Sequence, residues 1–132
     1  MKVLAVDLGT RRTGFAISDP EGKMALALPT LTEVVPAEVA RLAQEHGAQE
    51  IVVGLPLNMD GSSGPSARRS LDFAEELQIH VDIPVRTWDE RLSTAEGEER
   101  LRRAGLSRRE RRKRADVAAA VVILESYLRR PR

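Results

Sequence analysis

The order of strand-like and helix-like segments constrains the fold more than any other feature of this 132-residue chain. Three β-rich segments come first, separated by short turns: "KVLAVD" (2–7), "TGFAISD" (13–19) and "GKMALALPTL" (22–31). Consecutive strands with short connections are typical of an antiparallel meander. We therefore expect these three segments to pair in sequence order.

After residue 35 the hydrophobic pattern changes to an alternation of helices and strands. The segments are a helix in "PAEVARLAQEHG" (36–47), a strand in "EIVVGLP" (50–56), a helix in "ARRSLDFAEELQ" (67–78) and a strand in "IPVRTWDE" (83–90). Strands separated by helices imply parallel crossover connections. The last third is predicted to be helical, with capping-box patterns in "STAE" (93–96) and "SRRE" (107–110) before "ADVAAAVVILESYL" (115–128).

Together these segments predict an α/β fold in one domain, residues 1–132. We expect a mixed five-stranded sheet, with three antiparallel strands plus parallel crossovers, and helices on both faces. The chain has no cysteine and two histidines, so any chemistry would depend mainly on carboxylates and hydroxyls. Neither a signal peptide nor a membrane-length apolar run is recognisable, which predicts a cytoplasmic protein without a membrane partner.

The positive charge is concentrated in residues 100–114, "RLRRAGLSRRERRKR". This segment carries a net charge of +8, and because the whole chain carries +1, the remainder sums to −7. Such asymmetry favours a polyanionic partner such as nucleic acid, although a solvated helical surface would show the same run.

Acidic residues are predicted to meet at the carboxyl edge of the parallel strands. Asp7 ends the first strand and Asp89-Glu90 ends the fifth. Neighbouring residues of a strand point to opposite faces, so only one of Asp89 and Glu90 can join Asp7, and parity alone does not say which. Asp116 shares a helical face with Ala120 and would face the same edge. Taken one at a time, each acid also has a purely structural explanation. Asp7 is typical of a turn residue, and Asp116 is typical of an aspartate that stabilises the N-terminus of a helix.

Three converging carboxylates would have a chemical use. They repel one another unless divalent cations neutralise them, and oxygen ligands favour Mg²⁺ or Mn²⁺. Two such ions, about 3.5 to 4 Å apart, can activate water and stabilise the leaving oxygen in phosphodiester hydrolysis. The pattern therefore predicts a nuclease site.

Four sequence blocks resemble the YqgF/RuvX-type nucleases, which have a ribonuclease-H-like fold and are associated with Holliday-junction resolution and with the 5′ end of pre-16S rRNA. The blocks are "VDLGTRRTGFAISD", "IVVGLPLNMDGSSGPSA", "WDERLST" and "RADVAAAVVILESYL". The resemblance implies that Asp7, Glu90 and Asp116 are the metal-binding acids, which selects Glu90 over Asp89.

Junction resolvases of this fold carry an acid at the end of strand four, where this chain has Gly54–Pro56. RNA and branched DNA therefore both remain open as substrates, and paired cuts in a junction would require a homodimer.

Several residues beside these acids are predicted to contact substrate. The first turn offers Thr10, Arg11 and Arg12 as phosphate ligands, and Arg91 follows Glu90. In the loop after strand four, Asn58 and Arg68 are candidates for a substrate clamp. Aromatic residues make up only 3% of the chain, so backbone recognition is favoured, with Trp88 as a candidate for stacking one base.

Two alternatives from other classes remain at this point. "DLGTRRTG" also resembles the phosphate loop of the sugar-kinase, actin and chaperone ATPase superfamily, although no second "DxGT" is present. A non-catalytic nucleic-acid-binding protein that keeps the fold would also carry these features.

Overall fold

The computed structural model describes residues 1–92, 103, 105 and 119–130. Its elements are β1 (Val3–Leu8), β2 (Arg12–Ser18), β3 (Ala25–Thr32), α1 (Pro36–Glu45), β4 (Glu50–Leu55), α2 (Pro65–His80), β5 (Val85–Asp89) and α3 (Ala119–Leu128). The five strands form one sheet in the order β3-β2-β1-β4-β5. The predicted α/β fold with a mixed five-stranded sheet is therefore confirmed.

The central strand β1 joins the two halves of the sheet. It pairs antiparallel with β2, which pairs antiparallel with β3. On its other side β1 pairs parallel with β4, and β4 pairs parallel with β5. The carboxyl ends of β1, β4 and β5 consequently lie at one edge, where ligands gather in sheets of this kind.

Helices cover both faces of the sheet, as predicted, because the strand side chains alternate between two hydrophobic clusters. One cluster packs against α1 and α2 and contains Leu4, Val6, Ile51, Val53 and Leu77 among its buried residues. The other packs against α3 and contains Val3, Ala5, Val52, Ala120 and Ile123. We call these two sides of the sheet the α1/α2 face and the α3 face.

A polar network lies on the α3 face at the amino end of β4. Glu50 is only 6% exposed, yet its carboxylate accepts a hydrogen bond from the Tyr127 hydroxyl. Burial and this bond raise the pKa of Tyr127 to about 12. Arg86 lies 3.7 Å from the second carboxylate oxygen of Glu50, so this buried side chain has one hydrogen-bond donor and one cation as partners.

Trp88 is part of the hydrophobic packing on the α3 face. Its indole nitrogen donates a hydrogen bond to the Ser126 hydroxyl at 2.9 Å. Its ring meets Tyr127 edge-on, with 5.5 Å between centroids. Trp88 is half-buried, with its indole nitrogen and one side of its ring system held by α3, and the expectation that it could stack a base stays a prediction.

No described helix combines the length and the hydropathy that a membrane crossing requires. The capping-box segments 93–96 and 107–110 lie outside the described residues. The Arg-rich segment 100–114 does as well, except for Arg103 and Gly105.

Candidate functional site

Asp7 lies in β1, one residue before the strand ends, and its side chain is on the α3 face. It pairs with Gly14 of β2. A Cβ atom on Gly14 would come within 3.9 Å of the Asp7 Oδ2 atom, so the glycine leaves open space beside the carboxylate. Burial raises the pKa of Asp7, and a hydrogen bond with Glu90 partly opposes this rise.

Glu90 follows β5 directly and meets Asp7 through a side-chain hydrogen bond. Burial, the negative charge of Asp7 and this hydrogen bond raise the pKa of Glu90 to about 7, with a smaller contribution from Asp89. The two carboxyl groups therefore hold a proton between them to a higher pH than isolated carboxyl groups would. Two carboxylates at one sheet edge with raised pKa values form a site that favours either a proton or a cation.

Asp89 points to the other side and pairs with Arg91. The Arg91 guanidinium donates to both carboxylate oxygens of Asp89 at distances of 2.7 to 3.1 Å. These hydrogen bonds hold the pKa of Asp89 below its usual range. The structure thus brings Glu90 to Asp7 and keeps Asp89 apart, while the metal-binding role that the family resemblance implied for Glu90 stays a prediction.

Arg91 also fixes the loop after β4. Its Nη1 atom donates to the Met59 carbonyl oxygen at 3.2 Å, and Gly61 lies beside the same guanidinium, with φ of +88°. The predicted contact of Arg91 with substrate stays a prediction. In the structure its guanidinium is held by Asp89 and by this loop.

The loop itself, residues 57–62, is closed by internal hydrogen bonds. The Asn58 amide donates to the Ser62 hydroxyl at 3.0 Å, and the Ser62 hydroxyl donates to Asp60 at 2.6 Å. Asn58 therefore shapes the loop at the site edge. Arg68 lies beyond the loop in the first turns of α2, where it is exposed.

Thr10 and Arg11 are exposed in the connection between β1 and β2, and Arg12 is exposed as the first residue of β2. Arg12 also lines a groove of about 430 Å³ that begins at Asp7 and runs over β2 and β3 beside the start of α3. Arg12 and Asp7 therefore line the same groove.

Arg69 is a candidate that the sequence did not single out. Its Nη2 atom lies 3.5 Å from the Leu8 carbonyl oxygen, which places a cation beside the residue that follows Asp7. Arg68 and Arg69 are adjacent and both exposed on α2. They differ in which of them α2 turns toward β1. The sequence pattern does not give that rotation of the helix.

Asp116 lies outside the described residues, so the third predicted acid has no described position. Within residues 1–92 and 119–130, no three His, Asp or Glu side chains come together in a group that could hold a metal ion. The described part of the site is therefore the carboxyl pair of Asp7 and Glu90.

Solved structures with the same architecture define the class of protein. The Thermus thermophilus RuvC structure in complex with a Holliday junction superposes with a TM-score of 0.62 at 14% identity, covering 96% of this chain and 91% of that one. The fowlpox virus Holliday junction resolvase gives a TM-score of 0.55 at 13% identity, covering 97% and 98%. At such low identity the likeness concerns the fold alone, which is that of the RuvC-like, ribonuclease-H-fold proteins.

Sequence relatives define the family within this class. The sequence model of the RuvX family, described as "Holliday junction resolvase", matches residues 1–130. A protein of Anaeromyxobacter sp. (strain K), named "Putative pre-16S rRNA nuclease", is 46% identical over 98% of both chains. A protein of the same name from Halothermothrix orenii is 42% identical over 97% of this chain and 94% of its own. The chain belongs to the RuvX family, which confirms the resemblance drawn from its four sequence blocks.

Proposed function

We propose that this protein is a divalent-metal-dependent nuclease that hydrolyses phosphodiester bonds of nucleic acid, with Asp7, Glu90 and Asp116 as its metal-binding acids. The observation that carries the proposal is the contact between Asp7 and Glu90, two carboxyl groups from different strands whose pKa values are both raised. Membership of the RuvX family supports a nuclease over the ATPase-type alternative.

The described residues fit a hard cation such as Mg²⁺ or Mn²⁺. Asp7 and Glu90 supply oxygen donors, which such ions prefer, and the missing side chain at Gly14 leaves space beside the Asp7 carboxylate. Binding one or two ions would relieve the repulsion between the carboxylates and would polarise the phosphodiester and its attacking water. Asp116 would complete the ligand set.

Cations around the acids would hold the substrate backbone. Arg12 lines the groove that begins at Asp7, and Thr10, Arg11 and Arg69 lie around the same end of β1. Backbone contacts of this kind position a nucleic acid without reading its sequence. Arg68 and the loop that contains Asn58 would border the substrate on the β4 side.

The names of the relatives indicate the substrates to test first. Relatives at 42 to 46% identity carry the name of a pre-16S rRNA nuclease, so we propose trimming at the 5′ end of pre-16S rRNA as the activity, in the cytoplasm. Branched DNA is the second substrate, because the family is described as a Holliday junction resolvase. Paired cuts in a junction would require a homodimer, whereas trimming of RNA would not.

The test is a cleavage panel with a four-way DNA junction, duplex DNA, single-stranded DNA and an RNA that carries the 5′ leader of 16S rRNA. Each substrate is incubated with Mg²⁺, Mn²⁺ or EDTA. We expect cleavage only with a divalent metal, and its loss in Asp7→Asn, Glu90→Gln and Asp116→Asn. Asp72→Asn, an exposed acid on α2, is the matched control and should cleave normally.

Each contrary result has a distinct meaning. Near-normal cleavage by any of the three variants would remove that residue from the site. Binding of RNA or DNA without cleavage under any metal condition would favour the non-catalytic binding protein. Binding of ATP by the purified protein, with no cleavage of any nucleic acid, would favour the ATPase-type domain.

A further inference from the structure

Gly54 lies on the strand that separates the two acids. Its strand, β4, pairs with β1 on one side and β5 on the other. Gly54 is the partner of Trp88 in β5 and comes one residue after the Val6–Val53 pair with β1. An acid that follows β5 must therefore cross β4 at this level to meet Asp7.

Space, and not backbone conformation, requires glycine at position 54. The backbone of Gly54 is outside the left-handed region that only glycine adopts easily. A Cβ atom there would lie 3.1 Å from both Cγ and Cδ of Glu90, and 2.7 Å from Cδ1 of Ile123. Ordinary contacts between such atoms begin near 3.5 Å. The side chain of Glu90 thus occupies the place where a residue with a Cβ would put its own.

Neighbouring strands lie about 4.8 Å apart, so β1 and β5 are separated by roughly twice that distance. A glutamate can cover this gap only if it extends across the surface of β4. The contact of Glu90 with the Gly54 position, together with its hydrogen bond to Asp7, shows that it does so. The opening at Gly54 and the meeting of the two acids are therefore parts of one arrangement.

We propose that Gly54 is a positioning residue for the candidate active site, because its missing side chain opens the passage through which the Glu90 carboxyl group reaches Asp7. The part of this inference that concerns cleavage rests on the proposed function. The part that concerns the Asp7–Glu90 contact does not.

The alanine variant has to be designed around Ile123. Gly54→Ala alone would collide with the Cδ1 atom of Ile123 as well as with Glu90, and this could lower stability without any bearing on the acids. Ile123→Val removes that δ-methyl group. The informative variant is therefore Gly54→Ala/Ile123→Val, and Ile123→Val alone is its matched control.

The contact between the acids can be measured without substrate or metal. In EDTA at about pH 6, a double-mutant cycle of Asp7→Ala and Glu90→Ala, which removes both carboxyl groups, gives their coupling from urea unfolding curves. We expect the same coupling in the wild-type and Ile123→Val backgrounds. In the Gly54→Ala/Ile123→Val background it should fall by more than half, because the new methyl group displaces Glu90.

Cleavage in the presence of a divalent metal is the second readout. We expect Ile123→Val to cleave like the wild type and Gly54→Ala/Ile123→Val to lose at least nine-tenths of its kcat. Unchanged coupling in the alanine background would overturn the positioning role. Lost coupling with unchanged cleavage would leave the positioning role intact and would instead contradict the participation of Glu90 in the proposed nuclease.

A relocated carboxylate gives a positive test. Because the Cβ position of residue 54 lies beside the Glu90 carboxyl carbon, an aspartate at 54 would bring an acid to nearly the same place once Glu90 is truncated. In the Glu90→Ala/Ile123→Val background, an unfolding cycle that pairs Gly54→Asp with Asp7→Ala measures the coupling between the new carboxyl group and Asp7. We expect this coupling to be restored. No coupling in this variant would overturn the view that positions 54 and 90 share one space.

Discussion

Replacing Glu90 by glutamine should stabilise the metal-free protein at neutral and alkaline pH, although it removes a predicted metal ligand. In the wild type, ionised Glu90 is held in a half-buried position beside Asp7, and both burial and the neighbouring charge oppose its ionisation. Glutamine has nearly the same shape and carries no charge. Its amide can still donate a hydrogen bond to Asp7.

The magnitude follows from the pKa of Glu90, which rises from an ordinary value of 4.5 to about 7. A shift of this size would correspond to roughly 3.4 kcal/mol for a fully sheltered group. Glu90 is partly exposed, so solvent screens the interaction, and we expect about 1 to 2 kcal/mol. The folded wild type binds the extra proton, so the contribution of Glu90 to the free energy of unfolding is fully present below pH 4.5, falls as the pH rises through about 7, and is lost above that.

The assay is urea unfolding of the wild type and Glu90→Gln in EDTA at intervals from pH 5 to pH 8. The difference in free energy of unfolding should grow with pH in favour of the variant and level off above pH 7. Glu76→Gln, on the exposed side of α2, should show no such trend. A difference for Glu90→Gln that stays constant across this range would refute the claim that the Asp7–Glu90 contact opposes ionisation.

Three further predictions concern Arg12, Arg91 and Tyr127. Arg12→Ala should weaken nucleic-acid binding and reduce the slope of log affinity against log salt by about 1, whereas Arg41→Ala on α1 should leave the slope unchanged in fluorescence anisotropy titrations. Arg91→Ala should increase hydrogen–deuterium exchange in the loop 57–62, because this side chain holds the loop carbonyl; unchanged exchange would show that the internal bonds of the loop suffice. Tyr127→Phe should destabilise the protein by about 1 to 3 kcal/mol in urea unfolding, because buried Glu50 loses its hydroxyl donor, and a smaller loss would mean that water replaces the hydroxyl.

The sequence predicts the sheet well because each part of it has a local signal. The meander has short connections, and the crossovers have helices between apolar runs, so the antiparallel pairing of the first three strands and the parallel crossovers could be predicted before any coordinates. Element ends are less certain: α2 begins at Pro65 and not at residue 67, since proline is well tolerated in the first turn of a helix.

The site is predicted less completely because it depends on which face of the sheet receives α3. In β5, Val85 and Trp88 are both partly buried, but they lie on opposite faces. The strand pattern alone therefore leaves Asp89 and Glu90 equivalent. Arg91 presents a similar difficulty, because its partner is only two residues away and the turn that brings them together has no distinct sequence pattern.

Trp88 has a consequence for the fidelity of assembly. β5 is a short strand at the border of the sheet, held by a single neighbouring strand, and such strands can slip by one residue. A slip of that kind would exchange Asp89 and Glu90 between the two faces. The bond from the Trp88 indole to Ser126 anchors the strand to α3 in one register, so the packing of β5 against α3 determines which of two adjacent acids reaches Asp7.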